Sequence, residues 1–477
     1  MKPRDVALLV LAAALAAVAL RDGVAPHDEG LMLAWGQRIA DGQLPYRDFW
    51  CNYGPAQPYV LGGLTAVLGP SLLAWRIVRV LVGAVAAWLA YRLVRDEAEG
   101  APHAEAWALG AWAASAGALA WPLLPSPTVP ALALGLAALW AARTHPALAG
   151  ALAGAAGLFR PELGVAFAVA VFWRAGRSLG AARRAPIGAA AVFGLGWLPF
   201  VVAAPGDVAG QVVGFLGKQS DQRLPFPPPY HDGLDPNKLL EGHIAVILVA
   251  AAVLWAALRR GPAWLLVPLL ASVGYLLARA DEFHLVPLGV LVAVGLGVAG
   301  ARAPGRAGSL VAAALLALIA LHGLDRQAGR WRHPGPLAAV PGPAGDGVRT
   351  TPADAAALRR LRAALATPGP LLVLPPRTDR VRVGDPLLNV ITGRRNPTRY
   401  DVMQPGVVTT AKVQREMIGD LRAAPGTRVV RWTAPAARLR EPNASGREHG
   451  ARLLDRWIAR RYRPVLRAGP YVLLVRR

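Results

Sequence analysis

Long apolar stretches broken by short polar connectors run through the first two-thirds of this chain. The first spans Val6 to Leu20, behind Lys2 and Arg4. Others lie near 72–92, 105–121, 128–142, 147–159, 162–173, 186–203, 243–258, 263–278, 284–300 and 309–321. Such segments predict membrane-spanning helices, about eleven in all, although several fall short of the roughly 20 residues a straight span needs. Val6–Leu20 also has the form of a signal peptide, with Ala17-Val18-Ala19 as a cleavage-like site; the many later segments favour a spanning helix. After Leu321 the pattern changes. Leu371–Leu374, Val429–Trp432 and Tyr471–Val475 read as strands, and Ala353–Ala366, Ala411–Ala424 and Arg452–Arg461 as helices. The expected architecture is a polytopic α-helical membrane domain over 1–322, with a first polar loop at 22–57 and a long one at 204–242. A small α/β domain over 323–477 follows, entered through the Pro/Gly-rich stretch Pro334–Gly347.

Charge orients the helices. Alternating the segments from a cytoplasmic N-terminus puts Arg92, Arg95, Arg143, Arg174, Arg177, Arg183, Arg184, Arg259, Arg260, Arg302 and Arg306 on one side. Basic residues gather on the cytoplasmic face of membrane proteins. The opposite loops carry the acids, among them Asp22, Asp28, Glu29, Asp41, Asp48, Asp207, Asp281 and Glu282, and the 323–477 domain falls on that outer side. The same rule divides Ala147–Trp173 into two short helices that turn at Phe159-Arg160-Pro161-Glu162, because one helix would carry Arg174–Arg184 outside. Each half rises about 20 Å, less than the roughly 30 Å hydrocarbon core, so the Arg160 turn is expected in a cavity below the outer surface.

Composition narrows the function. The 477 residues are 54% hydrophobic and 17% charged, with a net charge of +23. In a soluble protein that charge would point to nucleic acid. Here it is spread along the chain without a basic run interleaved with aromatics, and no nucleic-acid partner is expected. The single cysteine, Cys51, excludes an intramolecular disulfide and a cysteine-based zinc site.

Three polar groups share the outer face: Asp28-Glu29, Arg160 with Glu162, and Arg279-Ala280-Asp281-Glu282-Phe283-His284. A carboxylate within reach of a hydroxyl accepts its proton, and arginine presents a forked donor set suited to phosphate oxygens. Structural readings stand beside these. Asp28 has the residue type of a helix cap, Arg160 of a hairpin cap paired with Glu162, and Arg279 of an interfacial side chain paired with Asp281 or Glu282. The first-loop acids also suit a divalent cation, which no compact ligand motif specifies. Pro225–Tyr230 reads as a stiff polyproline segment, and Asn443-Ala444-Ser445 fits a glycosylation sequon.

At these residues the chain resembles the GT-C superfamily of membrane glycosyltransferases, in particular bacterial members akin to protein mannosyltransferases and the lipid A aminoarabinose transferase. The resemblance rests on Asp28-Glu29 after the first helix and on Gly42-Gln43-Leu44-Pro45-Tyr46-Arg47-Asp48-Phe49. Tyr53-Gly54-Pro55 and Leu68-Gly69-Pro70 with Arg76 extend it, followed by Phe159-Arg160-Pro161-Glu162 and Arg279–His284. Leu387–Gly406, with Thr392-Gly393-Arg394-Arg395-Asn396-Pro397-Thr398-Arg399-Tyr400, is similar to the tail of uncharacterised bacterial members.

Membership implies inverting transfer from a polyprenyl-phosphate-linked sugar to a glycan, lipid or protein acceptor at the outer face of the bacterial inner membrane. It implies Asp28 as general base with Glu29 beside it. Arg160, Arg279 and His284 are donor-phosphate candidates, and Tyr53, Arg76 and Glu162 are substrate-pocket candidates. A flippase for lipid-linked glycans would place its polar groups near the midplane between repeated halves, and no repeat is evident here. A non-catalytic assembly protein would use the Arg-rich 323–477 region to bind anionic glycans or lipid headgroups.

Overall fold

The computed structural model describes residues 2–477 except 122, 124–125, 177–178, 219–222, 225, 227–261, 304, 333–334, 381–382, 402, 404–405 and 438–449. The predicted segment 243–258, most of the 204–242 loop and the Asn443 sequon lie outside the described residues. Helices stand at the other predicted apolar segments. They are α1 (Pro3–Ala17), α4 (Leu72–Glu97), α5 (Ala104–Ala120), α6 (Thr128–Ala141), α7 (Pro146–Phe159), α8 (Pro161–Ala175) and α9 (Leu179–Ala203). After the short pieces α10 (Pro205–Val208) and α11 (Gly214–Lys218) come α12 (Leu266–Ala278), α13 (Glu282–Ala301) and α14 (Arg306–Arg332). Among the described helices, stretches within α4, α9, α13 and α14 are long and apolar enough to cross a membrane, while Thr128–Ala141, Pro146–Phe159 and Ala263–Ala278 are shorter apolar helices.

Small residues explain how these helices pack. A Cβ on Gly150 of α7 would sit 1.8 Å from the Ala185 carbonyl oxygen of α9, and one on Gly154 would sit 2.5 Å from that of Ala189. Gly117 of α5 and Gly323 of α14 meet backbone to backbone in the same way. Lipid supplies no hydrophobic drive between helices, so close van der Waals approach through Gly and Ala holds such bundles together. The Ala/Gly bias of the sequence thus acts at the packing level.

Two further helices lie in the first loop, α2 (Asp28–Ala40) and α3 (Ala56–Leu68). Glu29 through Gly36 of α2 are all buried, because the helix is covered on more than one side. A Cβ on Gly36 would meet Leu61 of α3 at 2.9 Å, and one on Gly30 would meet the Leu387 backbone nitrogen at 2.2 Å. Leu387 belongs to the last third of the chain. There a four-stranded sheet of order β3-β4-β6-β5 is formed by β3 (Leu371–Leu374), β4 (Arg428–Trp432), β5 (Tyr462–Ala468) and β6 (Tyr471–Arg476), after a small β1 (Ala338–Ala339) and β2 (Arg349–Thr350) ladder. Strands β3 and β4 run parallel and the other neighbours antiparallel. Helices α15 (Pro352–Ala364), α16 (Leu387–Thr392), α17 (Ala411–Ala423) and α18 (Leu453–Arg461) complete this unit. Leu31, Trp35, Phe49 and Trp50 share one continuous apolar core with Leu387, Leu388, Tyr400 and Met403. Although the sequence grouped loop 22–57 with the membrane domain, its core is continuous with that of the α/β unit.

Candidate active site

The turn at Arg160 follows from Pro161. Proline cannot donate the next helical hydrogen bond and forces the residue before it into extended backbone. Arg160 accordingly has φ −139° and ψ 99° and caps both α7 and α8. Its guanidinium lies between two rings, 5.3 Å from the centroid of Tyr53 and 4.5 Å from that of Tyr275. Nε donates to Glu162 Oε1 at 2.7 Å, and Nη2 pairs with the same carboxylate. The Tyr53 loop reaches this point because Gly54 lets the backbone close on the hairpin. Gly54 N donates to the Phe159 carbonyl at 3.3 Å, and a Cβ there would lie 2.1 Å from the Leu158 carbonyl oxygen.

From Tyr275 the cluster continues to the start of α13. The Tyr275 ring is 4.2 Å from that of His284 between centroids, and its hydroxyl meets Thr128 Oγ1 at 3.1 Å. Asp281 caps α13 by accepting from His284 N at 3.1 Å, and its Oδ1 lies 2.5 Å from His284 Nδ1. Arg279 Nε donates to the other oxygen at 2.8 Å. Burial alone would raise the Asp281 carboxyl, but His284 and Arg279 outweigh it and hold the acid below its ordinary range. Burial raises the Tyr53 phenol well above its usual value against the lowering effect of Arg160, and the charges of Asp28 and Asp281 raise it further.

The first-loop acids differ sharply. Asp28 is exposed in the first turn of α2, where His27 holds the cap position and no side-chain cap bond forms. Among the described residues no hydrogen bond or ion pair engages the Asp28 carboxylate, so it is not the cap that its residue type allowed. An anion in the first turn is favoured by the helix dipole. Glu29 is fully buried and takes a two-pronged pair from Arg76, Nε to Oε1 at 2.7 Å and Nη2 to Oε2 at 2.8 Å. Arg76 also donates to the Leu20 and Gly23 carbonyls at 2.9 and 2.7 Å. Glu29 and Arg76 thus lock the start of the first loop onto α4 and stand apart from the Arg160 cluster.

The structure brings together Tyr53, Arg160, Glu162, Arg279 and His284. It adds Tyr275 and Thr128, which sequence reasoning missed; Tyr275 links Arg160, His284 and Thr128, and Asp281 joins Arg279 to His284. Among the described residues no group of three or more His, Cys, Asp or Glu side chains is gathered to hold a metal ion. What the cluster offers is a set of hydrogen-bond donors: a guanidinium fixed between rings and paired with Glu162, a second at a helix boundary paired with Asp281, and an imidazole on that same carboxylate. Such a set suits an anionic group with several oxygens.

No family model matches the chain, and no curated protein matches it. Solved structures do. ArnT from Cupriavidus metallidurans in the apo state aligns over 98% of this chain and 97% of that chain, with a TM-score of 0.59 and 14% identity. The same enzyme bound to undecaprenyl phosphate aligns over the same shares with a TM-score of 0.57. This chain shares the fold of ArnT. The Archaeoglobus fulgidus oligosaccharyltransferase in its apo form shares it, at a TM-score of 0.51 and 13% identity, over 90% of this chain and 70% of that one. The alignment with ArnT takes in nearly all of both chains, so the likeness of fold extends across the α/β unit as well as the helical bundle.

Proposed function

We propose that this chain is an inverting glycosyltransferase of the bacterial inner membrane, moving a sugar from a polyprenyl-phosphate-linked donor to an acceptor hydroxyl at the outer face. One observation carries the reading: Arg160, Tyr275, His284 and Asp281 meet beside Tyr53. They do so in the fold in which ArnT is found with undecaprenyl phosphate. Asp28 takes the proton of the acceptor hydroxyl as its oxygen attacks the anomeric carbon opposite the phosphate. The bond from that carbon to the phosphate oxygen breaks, and the polyprenyl phosphate leaves with the electron pair. Arg160 and Arg279 stabilise the charge that grows on the departing phosphate, and His284 supplies a hydrogen bond. Glu29 holds the loop that carries Asp28. The α/β unit lies on the outer side with the site.

Mass spectrometry of envelope glycans and lipids tests this in a strain lacking the chain, complemented by wild type or Asp28→Asn. One sugar attachment is expected to vanish on deletion and to return with wild type alone. Full return with Asp28→Asn removes Asp28 as base. An unchanged glycan profile on deletion overturns the transferase reading.

A further inference from the structure

At the far end of α13 from Asp281 the helices build a second pocket. On helix α13, which runs from Glu282 to Ala301, His284 and Gly300 are about 24 Å apart at 1.5 Å per residue, so this pocket lies most of a bilayer core away from His284. Its cavity is about 660 Å³ and is lined by His103, Trp107, Gly300, Arg302, Arg306 and Ser309 among others. Gly300 lets the Trp107 ring close against α13, since a Cβ there would fall 2.4 Å from the indole. Trp107 and Leu310 give the pocket apolar walls, while the arginines and His103 supply donors.

Arginines gather beside the pocket. Arg143 Nη2 and Arg174 Nη2 each lie 2.8 Å from Glu97 Oε1, and Arg302 Nη2 lies 3.6 Å from Glu97 Oε2. Arg302 also donates to the Glu97 carbonyl. Three guanidiniums thus share one carboxylate, and of these Arg302 lines the pocket. Arg306 adds another cation there and is exposed. A basic pocket between membrane helices at the bilayer boundary matches an acidic phospholipid headgroup, with the tails against the apolar wall.

We propose that this pocket binds the phosphate of an anionic phospholipid of the cytoplasmic leaflet, the leaflet resting on the sidedness proposed above. The full chain, purified in detergent, is titrated with phosphatidylglycerol, with phosphatidylcholine of the same acyl chains, and with inorganic phosphate, and bound lipid is counted by native mass spectrometry. This readout does not depend on sugar transfer, so its failure and that of the transferase reading are separable. Phosphatidylglycerol is expected to bind more tightly than phosphatidylcholine. Arg306→Gln should weaken phosphatidylglycerol about fivefold, the equivalent of about 1 kcal/mol for one basic residue at a membrane surface, while Arg306→Lys keeps most of the affinity. Equal binding of the two lipids, an unaltered affinity in Arg306→Gln, or displacement of phosphatidylglycerol by millimolar inorganic phosphate overturns the proposal, the last by marking a site for soluble phosphate.

Discussion

Glu29 and Arg76 form a buried pair whose energetics depend on all the bonds at the guanidinium. Removing one partner of a buried pair strands the other charge and costs about 3–5 kcal/mol, whereas apolar replacement of both is often neutral. Arg76 also satisfies two backbone carbonyls, which a double apolar variant would orphan. Glu29→Gln is therefore expected to lower the melting temperature of the detergent-purified chain by several degrees, and Glu29→Leu with Arg76→Met to recover only part of that loss. Full recovery would show that the carbonyl bonds contribute nothing. Asp385 is a second buried acid, 2% exposed, accepting from Tyr471 Oη at 2.8 Å and Leu388 N at 3.1 Å. Burial pushes it up to about 7. A carboxyl raised in the folded state holds its proton there and not in the unfolded chain. Its contribution is thus complete below about pH 4 and is lost as pH rises through about 7, a swing on the order of a few kcal/mol. Hydrogen exchange of the β3–β6 sheet should show Asp385→Asn gaining protection relative to wild type between about pH 4 and 7, with no further gain above it. A difference that stays flat across that range would contradict this.

Among the elements, the α7–α8 hairpin and the Tyr53 loop depend on close backbone approach. Gly164 of α8 packs on Gly157 of α7, where a Cβ would stand 2.3 Å from its Cα. Gly54→Ala would force the Tyr53 loop off this hairpin, at about 1–3 kcal/mol for overpacking, and take one ring from Arg160. Transfer is expected to fall more steeply than thermal stability, compared by assaying both in the same preparation; a variant that loses neither removes the loop from the site. The hairpin was legible in the sequence because Pro161 and the Arg174–Arg184 charges both demanded it. Strands β3, β4 and β6 were legible as short apolar runs. Strand β5 was not, because Arg463, Pro464 and Arg467 break its alternation at a sheet edge. Helix α3 escaped because its 13 residues are too short for a span, and Gly62 and Gly63 interrupt it. Tyr275 and Thr128 lie on apolar helices with no polar neighbour to announce them. The available signal was spacing: Tyr275 precedes Arg279 by four residues, so both fall on one face.

Across the whole molecule the α/β unit holds the first loop by polar bonds at several places. Arg38 Nε and Nη2 reach both oxygens of Asp401 at 2.6 and 3.0 Å, and Nη2 also reaches the Thr398 carbonyl at 2.6 Å. Trp50 N donates to the Arg399 carbonyl at 2.8 Å, and Arg349 Nη2 to Asp22 at 2.6 Å. Arg38→Ala strands the buried Asp401 and should loosen this seam. Trypsin is then expected to cut residues 323–477 faster in the intact chain while the helical bundle stays resistant. An unaltered cleavage pattern would mean that the shared apolar core alone holds the units together.

Gly384 N donates to His27 Nδ1 at 3.2 Å, and Leu387 N to the Pro26 carbonyl at 3.3 Å, so the two residues just ahead of Asp28 are fastened by the far end of the polypeptide. Synthesis proceeds from the other direction. Residues 26–28 leave the ribosome early, and their fasteners follow some 360 residues later, with every membrane helix after the first inserted in between. At translation rates of about 5–20 residues per second, the loop bearing the proposed base waits on the order of twenty seconds to a minute for its final restraint. A nascent or truncated chain would thus carry every residue of the cluster yet lack the clasp on its first loop, which ties completion of the site to completion of the protein.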